Sequence, residues 1–326
     1  MREPPEPIEV LEGREEFLFM RGDTNRVLDQ HTGALTPPPG WAAAWREALE
    51  ARVRRLRSLG VRWQGLIAPD KEAVYAEMLP DGIEPAPRRP IHELLDAAAT
   101  AAAPVIYPAD AIRRAKRGGI TYSLSDTHWT ARGAYVACTE IARGLSESGI
   151  ELRLPAEEAI EWRRLNVPGD LGSKLDPPRA GRTIAARLRE ARAELRSDNL
   201  IANHGRMITF ERPGPSPLPR AVLFGESFSY QLLPFLKESF SRLAFAHTSA
   251  FDYGLVKRER PDLVLWCPVE RFLLDVPDDR LASSRLRLLR LRKRLQGRRA
   301  DPGGHFLAGP WENPAPAPVD GREAGG

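Results

Sequence analysis

The chain has 326 residues, of which 42% are hydrophobic and 28% are charged, a composition typical of a globular protein that buries a large core. Its 48 basic and 44 acidic side chains give a net charge of +4, which is too balanced to favour nucleic-acid binding. No apolar run approaches the roughly 20 residues that a membrane-spanning helix needs.

Strand and helix patterns alternate along the first third of the chain, after an N-terminal arm at residues 1–11. The predicted elements are a strand at 16–20, a helix at 41–60, a strand at 61–70, a helix at 92–103, a strand at 105–108 and a short helix at 111–118. Helices that alternate with short apolar strands predict an α/β domain, with a mostly parallel sheet covered on both faces.

The same alternation continues to residue 276, so we expect one domain over residues 12–276. Its further predicted elements are a strand at 120–125, a helix at 131–145, a charged helix at 182–198, a strand, turn and helix at 220–240, and strands at 242–247 and 263–266. A basic amphipathic helix is predicted over 277–300. Residues 301–326 are rich in Pro, Gly and Ala, and this composition predicts a disordered tail.

A serine lies at a strand-to-helix turn in the segment VLFGESFS, residues 222–229. A buried strand runs into Gly225, and such a turn aims the hydroxyl of Ser227 above the sheet edge, near backbone N–H groups that can bind an oxyanion. The segment lacks the Gly-x-Ser-x-Gly pattern of α/β-hydrolases, because Ser229 occupies the second glycine position. Taken alone, Ser227 fits either a nucleophile or a serine that caps the following helix.

The segment SDTHWT, residues 125–130, places an acid two positions before a histidine. In an extended segment residues i and i+2 point to the same side, so Asp126 can reach Nδ1 of His128 and leave Nε2 free. A serine nucleophile needs such a base, together with a group that fixes its tautomer. The alternative is that Asp126 caps the next helix, for which Thr130 is also a suitable N-cap, and that His128 packs in the core.

Both segments resemble the alginate O-acetyltransferase family, whose catalytic domain is SGNH-hydrolase-like. Residues 126–134, DTHWTARGA, resemble its Asp-x-His-Trp signature. Residues 225–229, GESFS, resemble its Gly-Asp-Ser-Phe block, with Glu226 at the aspartate position. Weaker similarity extends the resemblance over residues 12–275, through the stretches at 12–25, 66–80, 169–175 and 260–273.

The resemblance implies a three-layer α/β/α SGNH-hydrolase-like fold and a catalytic triad of Ser227, His128 and Asp126. It implies a serine-dependent O-acetyltransferase that modifies hydroxyls of a polysaccharide or other glycan, through an acetyl-serine intermediate, in exopolysaccharide biosynthesis. The acetyl donor would be delivered by a membrane-bound acyltransferase. We expect no cofactor and no metal, because the remaining histidines share no metal-ligand spacing.

Two alternatives share this fold. A carbohydrate esterase or deacetylase would use the same triad, with water replacing the sugar hydroxyl in the second half-reaction. A non-catalytic glycan-binding or scaffold protein of an exopolysaccharide system would keep the fold without the chemistry.

The location of the protein is predicted differently by its first residues and by the family. The segment MREPPEPIEV has neither the basic region nor the apolar region of a secretory signal, which predicts a cytoplasmic protein. The family resemblance implies a periplasmic one.

The basic helix carries leucines 281, 288, 291 and 295 near heptad spacing, with Arg and Lys at most other positions. One interpretation is that residues 279–299 contact an anionic membrane at its surface, or a partner that tolerates basic charge. The other is a helix packed on the domain by its leucines, with a solvated basic face. Lys71 and Tyr75 follow a strand end, which fits either a place at the edge of the active cleft or the structural role that we expect for them. Glu270 and Arg271 are predicted to form a salt-bridged pair.

Overall fold

The computed structural model describes residues 9–23 and 25–297. The predicted disordered tail at 301–326 lies outside the described residues, as do residues 1–8 of the predicted arm. Residues 9–11 of that arm belong to a strand that pairs with residues 18–21. No helix in the described ranges combines the length and the apolar character needed to cross a bilayer.

The structure contains strands and helices in alternation. The strands are β1 (Glu9–Glu12), β2 (Leu18–Arg21), β3 (Arg62–Leu66), β4 (Val105–Ile106), β5 (Ile160–Val167), β6 (Gly181–Leu188), β7 (Glu194–Asp198), β8 (Met207–Glu211), β9 (Arg220–Gly225), β10 (Arg242–His247) and β11 (Leu263–Cys267). The α-helices are α1 (Val27–Thr32), α2 (Trp41–Ser58), α3 (Lys71–Val74), α4 (Pro90–Thr100), α5 (Ala109–Ala115), α6 (Ala131–Glu147), α7 (Gly169–Gly172), α8 (Leu233–Leu236), α9 (Tyr253–Glu259) and α10 (Ala282–Leu295).

A seven-stranded sheet in the order β4-β3-β11-β9-β10-β8-β7 forms the centre of the fold. The first five of these strands are mutually parallel, and β8 and β7 are antiparallel additions at one side. The carboxyl ends of parallel strands meet at one edge of a sheet, where α/β proteins place their sites. Gly225, at the end of β9, is paired there with His247 of β10 and Cys267 of β11.

The two faces of the sheet bury separate apolar cores, and the residues of β9 alternate between them. Ala221 and Leu223 lie in the core under α6 and α8, whereas Val222 and Phe224 lie in the core under α2, α4 and α9. Such alternation is what a strand covered on both faces requires. The predicted α/β architecture with a mostly parallel sheet is therefore confirmed, and its helices form two outer layers.

The predicted charged helix at 182–198 is wrong, because this segment forms strands β6 and β7. β6 pairs with β5 along its whole length in a separate two-stranded sheet, and β7 pairs with β8 at the edge of the central sheet. Arg, Ala and Glu favour helices, but long-range pairing outweighs that modest preference. The predicted strand at 120–125 is also wrong: apart from a bridge between Tyr122 and Trp129, this segment is a buried loop.

A buried ion pair attaches the segment before α10 to α2. The guanidinium of Arg52 lies 4.1 Å from the ring centre of Phe251 and 4.5 Å from that of Trp266. Its Nε and Nη2 donate hydrogen bonds of 2.7 and 2.9 Å to the two carboxylate oxygens of Asp279. The charge of Arg52 is fully removed from water, so its stability in the fold depends on Asp279.

Replacing Asp279 by alanine is expected to lower the free energy of unfolding by about 3–5 kcal/mol, because it leaves a buried guanidinium without a counter-charge. Urea denaturation measures this change. The matched control is Asp278→Ala, since Asp278 pairs with Arg280, whose side chain is 90% exposed, and we expect little effect there. Equal destabilisation by the two substitutions would contradict the role of the Arg52–Asp279 pair.

Candidate active site

The turn after β9 presents Ser227 at the carboxyl edge of the sheet. Glu226 is extended, and Ser227 begins a 3₁₀ helix over Ser227–Gln231. The chain can turn this tightly only with a glycine at 225, because a Cβ there would lie 2.1 Å from Ser229 Oγ and 2.7 Å from the Cys267 carbonyl oxygen. The first N–H groups of a helix have no intrahelical acceptor, so this turn offers donors beside the Ser227 hydroxyl.

The loop before α6 brings His128 to the same edge. Thr130 caps α6 by accepting a hydrogen bond from the Gly133 N–H, so Asp126 is not the helix cap. The indole Nε1 of Trp129 donates a 3.0 Å bond to the carbonyl of Phe228, and the His128 ring packs on the Phe228 ring with 4.8 Å between centres. These contacts attach the loop directly to the serine turn.

The three residues predicted as a triad form one hydrogen-bonded chain. Nε2 of His128 lies 2.8 Å from Ser227 Oγ, and its Nδ1 lies 2.6 Å from Asp126 Oδ1. The same Asp126 oxygen accepts the backbone N–H of His128 at 2.8 Å, which fixes the i, i+2 geometry. With Nδ1–H donated to the carboxylate, Nε2 is the acceptor for the Ser227 proton, as a general base must be.

The electrostatics of the pair favour this arrangement. Burial disfavours the charged form of Asp126, but the charge and the hydrogen bonds of His128 outweigh burial and hold the pKa of Asp126 well below its usual value. Burial also disfavours protonated His128, yet the Asp126 carboxylate outweighs it and raises the pKa of His128. Asp126 therefore stays ionised while His128 gains basicity.

A second acid, Asp170, completes the site and was not among the predicted site residues. Its backbone N–H donates a 2.9 Å bond to Asp126 Oδ2, and its carboxylate accepts bonds from N–H and Oγ1 of Thr127 at 2.7 and 2.5 Å. The preceding Gly169 has φ +64°, and a Cβ there would lie 2.4 Å from the Ser125 carbonyl oxygen. A glycine directly before an acid in GDLGSKL was the available sequence signal.

Lys71 and Tyr75 have the structural positions expected of them. The Lys71 ammonium is buried and donates to backbone carbonyls that include that of Asp126, at 3.1 Å. The Tyr75 hydroxyl accepts the backbone N–H of Thr121 at 2.9 Å. Both residues therefore hold the loop that carries the acid and the base.

The predicted salt bridge between Glu270 and Arg271 is wrong, because each residue has a different partner. Glu270 pairs with Arg89 at 2.8 Å, and Arg271 pairs with Asp70. Successive residues after a strand point in different directions, so the two side chains diverge. Both ion pairs join the end of β11 to neighbouring elements of the sheet edge.

The described residues contain two groups of potential metal ligands, each with its ligand atoms within 4.8 Å: Asp126, His128 and Asp170, and His204, Glu226 and His247. The first group consists of two residues of the predicted triad, Asp126 and His128, and the acid Asp170 that contacts them. In the second, His247 lies 3.1 Å from the Glu226 carboxylate through Nε2 and 3.1 Å from the Tyr230 hydroxyl through Nδ1. The positive charge of Lys293 lies near His204 and opposes a bound cation. We assign this group to fixing Glu226 beside the serine.

Replacing Asp126 by asparagine is expected to reduce kcat for a small ester by on the order of 10⁴, because the amide stabilises the wrong imidazole tautomer. His128→Ala should cost a similar factor, and the double variant little more, since members of one triad act as a unit. Initial rates with p-nitrophenyl acetate measure these losses. Near wild-type turnover in folded Asp126→Asn would disprove the orienting role of Asp126.

Replacing Asp170 by asparagine is expected to shift the acidic limb of kcat/KM to lower pH. The base is the neutral form of His128. Its pKa is raised by Asp126 and, to a smaller extent, by Asp170, and it is lowered by Arg271. Loss of the Asp170 charge therefore lowers the pKa of His128. A pH–rate profile with p-nitrophenyl acetate measures the shift. Asp176→Asn, in the same segment but exposed, is the control and should leave the limb in place. An unmoved or raised limb in Asp170→Asn would refute this assignment.

Comparison with known proteins places the chain in a family. A model of the SGNH hydrolase-like domain of the acetyltransferase AlgX matches residues 10–248. No curated protein matches the chain. The O-acetyltransferase domain of Pseudomonas putida AlgJ has a similar structure, with a TM-score of 0.58 and 20% identity over 88% of this chain and 100% of that one.

Bacillus cereus PatB1 is similar at a TM-score of 0.62 and 14% identity, over 83% of this chain and 98% of that one. A DHHW family protein from Eubacterium siraeum is similar at a TM-score of 0.55 and 13% identity, over 86% and 98%. These likenesses establish a shared fold, and the family model covers most of the chain. The protein belongs to the family of SGNH hydrolase-like acetyltransferase domains typified by AlgX.

Proposed function

We propose that this protein is a serine-dependent O-acetyltransferase that acetylates hydroxyl groups of a polysaccharide or other glycan. The observation that carries the proposal is the hydrogen-bonded chain from Ser227 through His128 to Asp126, located at the carboxyl edge of the sheet in an acetyltransferase family. A histidine that donates Nδ1–H to Asp126 and has a raised pKa is suited to act as a general base, a role that a non-catalytic scaffold does not have.

In the first half-reaction, His128 takes the proton of Ser227 while Oγ attacks the carbonyl carbon of the acetyl donor. The negative charge that develops on the carbonyl oxygen is stabilised by N–H groups at the start of the 3₁₀ helix. Collapse of the intermediate expels the donor alkoxide, which takes the proton from His128, and leaves acetyl-Ser227. Asp126 remains ionised throughout and stabilises the imidazolium of His128.

In the second half-reaction, a sugar hydroxyl gives its proton to His128 and attacks the acetyl-serine carbonyl. The new ester leaves, and Ser227 Oγ regains the proton from His128. If water attacks instead, the same site is an esterase, so the identity of the acceptor decides between the two activities.

We also propose that the protein works in the bacterial cell envelope, with its acetyl donor supplied by a membrane-bound acyltransferase. Membership of the AlgX family supports this location. The expectation of a cytoplasmic protein has no support beyond the composition of the first residues.

Incubation with p-nitrophenyl acetate is expected to add about 42 Da, the mass of acetyl replacing hydrogen, to the peptide that contains Ser227. Ser227→Ala should abolish the adduct, whereas Ser229→Ala, in the same turn, should retain it. Mass spectrometry of the quenched protein reads the result. An adduct that survives in Ser227→Ala would refute the assignment of the nucleophile.

Transfer is distinguished from hydrolysis by adding glycan oligosaccharides to the acetylated protein. A transferase should produce acetylated oligosaccharide in excess of free acetate for at least one acceptor. Release of acetate alone, at a rate that no acceptor changes, would assign the protein as an esterase with the same triad.

A further inference from the structure

The helix α10 is attached to the domain by one of its faces. Ala282 and Leu286 are buried against the protein. Nζ of Lys293 donates to the carbonyls of Ala202 and His204 at 2.7 and 2.8 Å. These contacts fix the orientation of α10, and therefore fix which residues face away from the domain.

The outer face of α10 carries a line of exposed leucines, here called the leucine stripe: Leu281, Leu288, Leu291 and Leu295. Their exposed fractions are 43%, 68%, 56% and 81%. Spacings of three, four and seven residues place them on one side of a helix, opposite the buried residues. Neither interpretation of the sequence combined exposed leucines with a helix that packs on the domain. The structure shows both features.

Arginines line both sides of the leucine stripe. On a helix of 3.6 residues per turn, Arg285 and Arg292 fall on one side of it and Arg287 and Arg294 on the other. All four are exposed, and α10 contains no acidic residue. The outer face is thus an apolar line bordered by four positive charges.

We propose that the leucine stripe and its bordering arginines dock the protein onto the surface of an anionic phospholipid membrane. A helix with an apolar face and flanking Lys or Arg lies in the interface plane, with its leucines below the headgroups and its cations among the phosphates. Charge repulsion argues against a second copy of this chain as the partner of this face, because two such faces in contact would bring their arginines together.

A series of contacts connects the inner face of α10 to the active edge of the sheet. Lys293 holds the loop of His204, whose ring lies 6.1 Å from that of His247, and His247 bonds to Glu226, the residue before Ser227. The docking itself does not depend on the proposed acetyl transfer, and it is tested by a readout other than activity.

Vesicle co-sedimentation of the full chain tests the proposal, with vesicles of phosphatidylcholine alone and of phosphatidylcholine with 30% phosphatidylglycerol. The expected result is binding to the anionic vesicles and at least roughly tenfold weaker binding to the neutral ones. Added salt should weaken the anionic binding, because it screens the arginines.

Two double variants separate the contributions of leucine and arginine. Leu288→Gln with Leu291→Gln, and Arg287→Gln with Arg294→Gln, should each lower partitioning by about tenfold or more. The matched control is Leu195→Gln, a leucine of β7 that is 54% exposed and does not belong to α10, and it should bind as the wild type does. Circular dichroism checks that each variant is folded.

Three outcomes would overturn the proposal. The first is absence of binding to anionic vesicles by the folded wild type. The second is equal binding to neutral and anionic vesicles. The third is a dimer in light scattering that the leucine double variant dissociates without any change in vesicle binding, which would assign the stripe to a second copy of the chain.

Discussion

Four backbone carbonyls converge on the ammonium group of Lys71, and the catalytic arrangement depends on that convergence. The carbonyl oxygens of Leu18, Ser123, Leu124 and Asp126 lie 2.7, 2.6, 2.8 and 3.1 Å from Nζ. Burial lowers the pKa of Lys71 to about 7. Buried N–H donors must be satisfied whether the amine is charged or neutral, so the loop cannot move away without leaving the Lys71 donors without acceptors. Three of these carbonyls, those of Ser123, Leu124 and Asp126, belong to the loop before α6, and the Leu124 carbonyl also accepts the N–H of Leu18 in β2 at 2.8 Å. Lys71 therefore joins this loop to β2.

Other buried charged groups along the active edge of the sheet also have partners. Arg271 pairs with Asp70, and Glu270 pairs with Arg89 and accepts a 2.6 Å bond from the Tyr107 hydroxyl. Each of these buried groups has a partner of opposite charge or a hydrogen-bond partner, as burial of charged groups beside an active site requires. These pairs lie between the strand ends, where burial outweighs the charge of Arg271 and raises the pKa of Asp70 to about 8.

The features that the sequence predicted correctly are those determined by residues near one another in the chain. Gly225 and Ser227 mark a strand-to-helix turn within six residues, and Asp126 and His128 share one side of an extended segment. Asp170 was missed because it reaches Asp126 from 44 residues away, in a segment between β5 and β6, of which β6 was predicted as part of a helix. Helix propensity at 182–198 is local, whereas the pairing of β6 with β5 depends on the fold as a whole.

The departure at Glu226 from the family's aspartate has a physical account in the structure. The longer side chain reaches Nε2 of His247 at 3.1 Å, and the pKa of Glu226 is lowered because the His247 bond outweighs the burial that would raise it. Glu226 therefore remains an acceptor at the end of β9 and holds the turn against β10.

The inserted hairpin of β5 and β6, with α7 between them, gives the enzyme a weak point. It forms its own two-stranded sheet, outside the central sheet, and a two-stranded sheet has little stability of its own. It is attached to the domain by packing of Trp162 on Tyr135 of α6, whose ring centres are 5.9 Å apart, and by hydrogen bonds to the loop before α6, such as that from the Leu124 N–H to the Arg182 carbonyl at 3.0 Å. If this segment opens locally while the sheet stays folded, Asp126 loses the N–H of Asp170. Heat would then inactivate the enzyme at a temperature below its melting point, and amide exchange in the hairpin would report the loss first.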